Sequence, residues 1–290
     1  MAQLSFGIKT TQVGMGYEEI AGLWREADAI EVIEHAWLWD HLVPRRPPLD
    51  IPALEAWTLL AALAAQTSRL RLGVIVTNNQ LRRPSLLAKM AATVDVISGG
   101  RLDFGIGAGA GLTAAVTEEM LASVRPEYDG YGVPLISAAD AVGSLREACE
   151  LIRRLWTETG PVDFDGRYYQ LRGAVCVPRP ATTPPLMIGG AGERLTLRLV
   201  AEQADVWSSP AMTPEEFARS NAVLDRHCAD VGRDPAQIRR SVQIMVTEPE
   251  PDQVRRFVEA GANHLVLVPR SPVPLAELAA RVIEPLLSLG

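Results

Sequence analysis

Cysteine is scarce: Cys149, Cys176 and Cys228 are the whole complement of 290 residues, far apart and in neither a CxxC nor a His/Cys cluster. That excludes a disulfide framework and a structural zinc site, and the three read as buried, inert thiols. Long apolar runs are missing too. The most apolar stretch, Leu59 to Ala65, is bracketed by Glu55 and Arg69 and falls far short of the roughly 18 uncharged residues of a membrane span. Met1 to Thr10 lacks a basic patch followed by an apolar stretch and a small-residue cleavage site, so no secretory signal is read and the cytoplasm is the expected compartment. Basic excess is absent as well. The 28 Lys and Arg face 35 Asp and Glu, a net charge of −7, with the arginines scattered among acids, which argues against a nucleic-acid partner. No HExxH, GxSxG or P-loop occurs, so metallohydrolase, α/β-hydrolase and nucleotide-triphosphatase readings have no anchor and no metal site is expected. By elimination, the reading is an enzyme that acts on a small molecule through an organic cofactor.

The chain has the means to fold around a large core, with 48% hydrophobic and 22% charged residues. Strand-like runs alternate with amphipathic helical runs. Ser5 to Thr10 precedes Tyr17 to Glu31, His35 to Asp40 precedes Leu54 to Thr67, and Leu70 to Asn78 precedes Pro84 to Ser98. Pro84 suits a first helical turn and Gly99-Gly100 a helix stop. Arg101 to Gly109 reads as the fourth strand, but its helix, Asp140 to Trp156, follows only after an insertion carrying Pro126, Gly130, Gly132 and Pro134. Pro161 to Val177, with an Asp165-Gly166 turn, reads as a β-hairpin. Four more pairs complete the set: Pro185 to Gly190 with Glu193 to Ala204, Asp205 to Pro210 with Thr213 to Val231, Arg239 to Val246 with Asp252 to Ala260, and His264 to Pro269 with Leu275 to Leu289. Eight such units predict a single (β/α)8 TIM barrel over residues 1–290, with an insertion after the fourth strand and a small hairpin before the fifth. A doubly wound sheet is the rival, but Gly105 to Gly109 is GIGAG, with no GxGxxG followed by an acid.

In a barrel the chemistry gathers at the C-terminal ends of the strands. There the second strand ends in Trp37-Leu38-Trp39-Asp40-His41, a carboxylate and an imidazole side by side, suited to orienting a ring and exchanging a proton. The fourth ends in Gly107-Ala108-Gly109, small enough for a flat ligand to reach the backbone. The fifth ends in Gly189-Gly190-Ala191-Gly192 and is expected to open a helix near Glu193, offering N–H groups to a phosphate. Arg45-Arg46 and Arg82-Arg83 fall on the same rim and read as solvated loop charge, while Trp24, Trp57 and Trp156 read as core and one of Trp37 and Trp39 as a pocket wall.

Several of these segments together, Phe6-Gly7-Ile8-Lys9-Thr10, Ala36 to His41, Trp57 to Ala64, Leu86 to Thr93, Ser98 to Leu102, Pro185 to Gly190, Asp225 to Cys228 and Val231 to Pro235, resemble the bacterial luciferase-like enzymes, in particular the branch that uses the deazaflavin coenzyme F420. The resemblance spans nearly the whole chain and implies a TIM barrel with one F420, FMN being the alternative, across the strand ends. It implies that Asp40 and His41 serve the ring and its proton chemistry, and that Gly107, Ala108, Gly109 and Gly189 to Gly192 hold ring and tail. It also implies a non-proline cis peptide near Ile75-Val76, with Thr77 adjoining, behind the ring, and a possible homodimer. The departure lies after GAG, where relatives often carry Trp-Asn-Glu or a catalytic Glu and this chain has Ala110-Gly111-Leu112. The expected reaction is therefore reduction of a C=C or C=N bond, with a proton from His41 or solvent, ahead of alcohol oxidation. A reduced-FMN monooxygenase and a non-catalytic flavin-binding or partner subunit are the alternatives.

Overall fold

The computed structural model describes residues 3–113, 117–210, 212–269 and 273–288. Its strands in chain order are β1 (Ser5–Lys9), β2 (His35–Leu38), β3 (Arg71–Val74), β4 (Thr77–Asn78), β5 (Leu102–Gly107), β6 (Gly111–Leu112), β7 (Ile136–Ser137), β8 (Val162–Asp165), β9 (Gln170–Ala174), β10 (Leu186–Gly189), β11 (Val206–Ser209), β12 (Arg239–Val246) and β13 (His264–Pro269). The helices are α1 (Tyr17–Ala29), α2 (Ala56–Gln66), α3 (Pro84–Ser98), α4 (Glu118–Ala122), α5 (Arg125–Gly130), α6 (Ala138–Thr157), α7 (Thr196–Gln203), α8 (Pro214–Asp230), α9 (Pro251–Glu259), α10 (Leu275–Leu278) and α11 (Glu284–Leu287). Strands β1, β2, β3, β5, β10, β11, β12 and β13 pair in that order, all parallel, and β13 returns to β1 to close the ring. The predicted TIM barrel is the fold, and closure leaves its sheet without an edge.

Local sequence explains the element ends. Pro84 opens α3 and Gly99, at φ 71°, ends it. Ser137 caps α6 by accepting from the Asp140 N–H, and Thr213 with Glu216 forms a capping box on α8. The last predicted helix is interrupted by a π turn at Ala279–Ile283, and its expected end at Leu289 lies outside the described residues. Strands β8 and β9 form the expected hairpin. The third strand departs from expectation. It breaks after Val74, the Ile75-Val76 peptide is cis, and β4 resumes beyond it beside β5. The insertion is partly ordered into β6, α4, α5 and β7, with residues 114–116 outside the described set.

Helices cover the barrel with Trp24, Trp57, Leu60, Trp156 and Phe217, and Phe104 of β5 packs against Trp57 and Trp156, all buried. Inside the ring a second apolar cluster gathers Trp37, Ile75, Met187, Val206 and Val266. Below it, at the N-terminal end, His35 and His264 stack with ring centroids 3.9 Å apart. The Trp37 indole N–H donates to His35 Nδ1 at 2.6 Å, and a Cβ on Gly7 would fall 1.9 Å from that nitrogen. Burial, reinforced by Arg239 and Arg71, pulls His35 down to about 3, and burial with the neighbouring His35 pulls His264 well below its ordinary value. The folded protein thus holds both neutral while the unfolded chain protonates them near 6.5, so stability is full above that pH and is lost as pH falls toward 3. The unfolding free energy from denaturant titrations is expected to drop between pH 7 and 4.5 by about 2 to 3 kcal/mol through His35, with a further loss through His264, before most carboxylates titrate. A flat profile over that interval would exclude a neutral buried pair.

Candidate active site

The C-terminal ends of all eight barrel strands open onto one cavity of about 870 Å³, within the range that takes a drug-sized or cofactor-sized ligand. Its wall includes Lys9 of β1, Asp40 and His41 after β2, Ile75, Val76 and Thr77 at the break in the third strand, Gly107 of β5, Gly189 of β10, Ser208 of β11, Gln243 of β12 and Val268 of β13. Ala108, Gly109 and Gly190 also line it, whereas Ala191 and Gly192 do not. Of the two tryptophans on β2 and its extension, Trp39 borders the cavity and Trp37 is core.

Asp40 and His41, adjacent in sequence, have separate partners. Asp40 is 4% exposed. Its Oδ2 accepts from the Asn78 backbone N–H at 2.8 Å and from Arg82 Nη1 at 2.7 Å, and its Oδ1 accepts from Arg82 Nη2 at 2.8 Å. Burial pushes this carboxyl up, against the opposing pull of Arg82 and the Asn78 N–H. Arg82 itself is raised despite burial, because Asp40 and Glu55 both accept from it. Glu55 in turn caps α2 through the Trp57 and Thr58 N–H groups. Asp40 thus lines the cavity with its carboxylate already held as half of an ion pair. Both of its oxygens are spent on a clamp that ties α2, the loop after β2 and β4 together. Arg82, read from sequence as solvated, is the buried centre of that clamp.

His41 is partly open, with 26% of its side chain exposed. Its ring stands edge-on to Trp39, centroids 4.8 Å apart. Its Nδ1 lies 3.1 Å from Glu127 Oε2, and Glu127 Oε1 accepts from the Leu42 N–H at 2.5 Å. A carboxylate only accepts, so Nδ1 carries the hydrogen, and Nε2 has no hydrogen bond among the described residues. Glu127 is 3% exposed and comes from α5, inside the insertion. An acid absent directly after GAG is thus supplied by the insertion, 18 residues after Gly109. The neighbouring Tyr128 is also buried, and its phenol oxygen accepts from Asn78 Nδ2 at 2.9 Å and the Ala110 N–H at 2.7 Å. Arg125-Pro126-Glu127-Tyr128 opens a short helix with Pro in its first turn, and nothing in the sequence sets Glu127 apart from Glu118, Glu119 and Asp129 of the same insertion.

The glycines do less for a ligand, and more for packing, than their sequence suggests. A Cβ on Gly107 or Gly189 would meet Val76 Cγ2 at 2.8 and 2.6 Å, so both make room for the Val76 side chain. Gly109, at φ 77°, packs under Asn78, Tyr128 and Gln80. The expected helix start at Glu193 is a turn, and α7 begins at Thr196. The Gly190 N–H is already bonded to the Ser208 carbonyl at 3.0 Å, and its own carbonyl accepts from the Trp207 indole at 2.7 Å. Gly190 therefore offers no free N–H to a phosphate. Beside it the Ser208 hydroxyl is 1% exposed and without a partner among the described residues.

A flat polar-edged ring fits these residues. Ile75, Val76, Thr77 and Ala108 would back it, and Ser208 with Thr196 would meet its polar edge or tail. Lys9 also lines the cavity, unassigned from sequence beyond its place in the family-like segment. Its ammonium donates to Gln243 Oε1 at 2.7 Å and stands 5.9 Å from the Trp39 ring. Burial, with repulsion from Arg45 added, brings it down to about 8. No helix among the described residues is long and apolar enough to cross a membrane, and no cluster of three potential metal ligands occurs among them.

Comparison with known proteins agrees with this layout. The phthiodiolone/phenolphthiodiolone dimycocerosates ketoreductase of Mycobacterium sp. (strain JLS) is 34% identical over 199 residues, which cover 67% of this chain and 48% of that protein. The chain thus aligns to about half the length of that relative. An F420-dependent secondary alcohol dehydrogenase solved with an F420-acetone adduct superposes with a TM-score of 0.82 at 18% identity, over 95% of this chain and 96% of its own. The coenzyme F420-dependent tetrahydromethanopterin reductase from Methanopyrus kandleri gives a TM-score of 0.80 at 19% identity, over 99% and 100%. These two likenesses are of fold. The family description luciferase-like monooxygenase matches residues 4–265, and the chain belongs to that family.

Proposed function

We propose that this member of an oxidoreductase family transfers hydride between F420 and a ketone or secondary alcohol, with His41 Nε2 as the proton donor and acceptor. The observation that carries the reading is the His41–Glu127 pair facing the cavity, with Nε2 uncommitted. Reduced F420, when bound, supplies a hydride and reacts poorly with oxygen. As the carbonyl carbon gains hydride its oxygen gains negative charge, and an imidazolium at His41 delivers a proton there through Nε2. Glu127 keeps the hydrogen on Nδ1 and stabilises the charged ring, while the Leu42 N–H fixes the carboxylate. In the reverse direction the neutral ring takes the alcohol proton at the same nitrogen. The sequence-based preference for C=C or C=N reduction rested on a missing acid, and Glu127 removes that ground. The ketoreductase and alcohol dehydrogenase named above support the carbonyl reading.

The test is to titrate the purified protein with F420 and with FMN, then to supply reduced F420 with simple ketones under anaerobic conditions and follow its reoxidation. Ketone-dependent reoxidation without oxygen is expected. Turnover only with reduced FMN and oxygen would establish the monooxygenase reading instead, and flavin binding without any turnover the non-catalytic one.

A further inference from the structure

The cavity holds four charged clusters, and two of them are balanced. Asp40 is bound to Arg82, and Glu127 is bound to His41. The other two, Lys9 and Arg45, are cations with no carboxylate partner among the described residues, and the segments outside that set bear no acidic side chain. Lys9 has a neutral amide, Gln243, as its hydrogen-bond partner, and Arg45, exposed at the rim, donates to the Ser123 hydroxyl at 2.9 Å. An ammonium has three donors, and the bond to Gln243 uses one. The Trp39 ring, 5.9 Å from the ammonium, carries an indole N–H that is buried and without a partner among the described residues. A buried ammonium that a neighbouring guanidinium repels is costly until an anion joins the two. Met245, Val268 and the Trp39 ring add apolar surface beside them.

Position separates this cluster from the wall that fits the cofactor. In the ring order β1, β2, β3, β5, β10, β11, β12, β13, the strand carrying Lys9 lies across the barrel from β10, which carries Gly189 beside the unclaimed Ser208 hydroxyl. An anion at Lys9 is therefore not the tail of a cofactor held at β10 and β11. We propose that Lys9 and Arg45, with Gln243 holding the ammonium in place, form a subsite for an anionic group on the substrate, carried by an apolar body that lies on Trp39 next to His41. This deepens the hydride-transfer reading by naming a substrate class, a carbonyl compound or alcohol with a carboxylate or phosphate group. The reduced charge affinity of a lysine brought to about 8 fits an ammonium that lacks its counterion.

The first arm needs no substrate and no cofactor. Calorimetric titration at low ionic strength compares benzoate with its neutral analogue benzamide, and with inorganic phosphate, on the wild type and on Lys9→Met and Gln243→Glu. Benzoate or phosphate binding is expected in the wild type, with benzamide about tenfold or more weaker, and the same loss is expected in both variants. Lys9→Met removes the ammonium, and Gln243→Glu neutralises it from within, so the two fail by different routes if folding alone is at fault. A second arm titrates FMN and riboflavin, which differ by the phosphate. Equal effects of Lys9→Met on both support a substrate anion. A loss confined to FMN would assign the cations to the cofactor phosphate and overturn the proposal, as would undiminished benzoate and phosphate binding in both variants, or benzamide matching benzoate. If neither F420 nor FMN binds, the cofactor reading fails while the anion titration still decides this one.

Discussion

Replacing His41 with alanine is expected to lower turnover by about 10²-fold or more, the usual worth of a positioned proton donor. Glu127→Gln should approach the same loss by another route. Glu127 touches His41 and the Leu42 N–H, so it is a positioning residue. A carboxamide can donate to Nδ1 and so favours the tautomer with its hydrogen on Nε2, which removes the acceptor needed for alcohol oxidation. Two readouts separate this from simple damage. Affinity for F420 should stay within about twofold in both variants. Glu127→Asp, which keeps the carboxylate, should recover part of the rate. Undiminished turnover in His41→Ala would end the proposed role.

The second large effect is expected on stability. Arg82→Met leaves Asp40 buried without its cation, with one remaining donor, the Asn78 N–H. Breaking a buried pair from one side costs about 3 to 5 kcal/mol. It should also loosen α2, because Glu55 then caps the helix without the Arg82 contact. The double variant Asp40→Asn with Arg82→Met removes both charges and keeps an acceptor for the Asn78 N–H. It is expected to regain much of the loss, as read from denaturant midpoints at pH 7. If the double variant is no more stable than Arg82→Met alone, the penalty is not that of an uncompensated carboxylate.

The sequence was enough for the architecture because alternation of period 2 and period 3.6 is a local property. Eight strand-helix pairs, the Pro84 helix start, the Gly99 stop and the Asp165-Gly166 hairpin turn are all written in short windows. It was also enough to place Asp40, His41, residues 75–77, Gly107 to Gly109, Gly189 and Gly190 at one mouth, since a barrel puts every strand end on the same rim. The partners of those residues are another matter, because pairing depends on distance in space. Asp40 and His41 are neighbours in the chain, yet one turns to Arg82 and the other to Glu127, across separations of 42 and 86 residues. The acid that seemed missing came from the insertion, where no periodicity pointed to it. Gly107 and Gly189 gave a ligand-like signal, but the atom that needed their missing Cβ was Val76 Cγ2. Of the N–H groups in the Gly-rich turn, that of Gly190 is taken by β11 through the Ser208 carbonyl. Local pattern determined the elements and the end of the barrel at which they act. Only packing decided which charge meets which, because that is set by contacts between segments far apart in the chain.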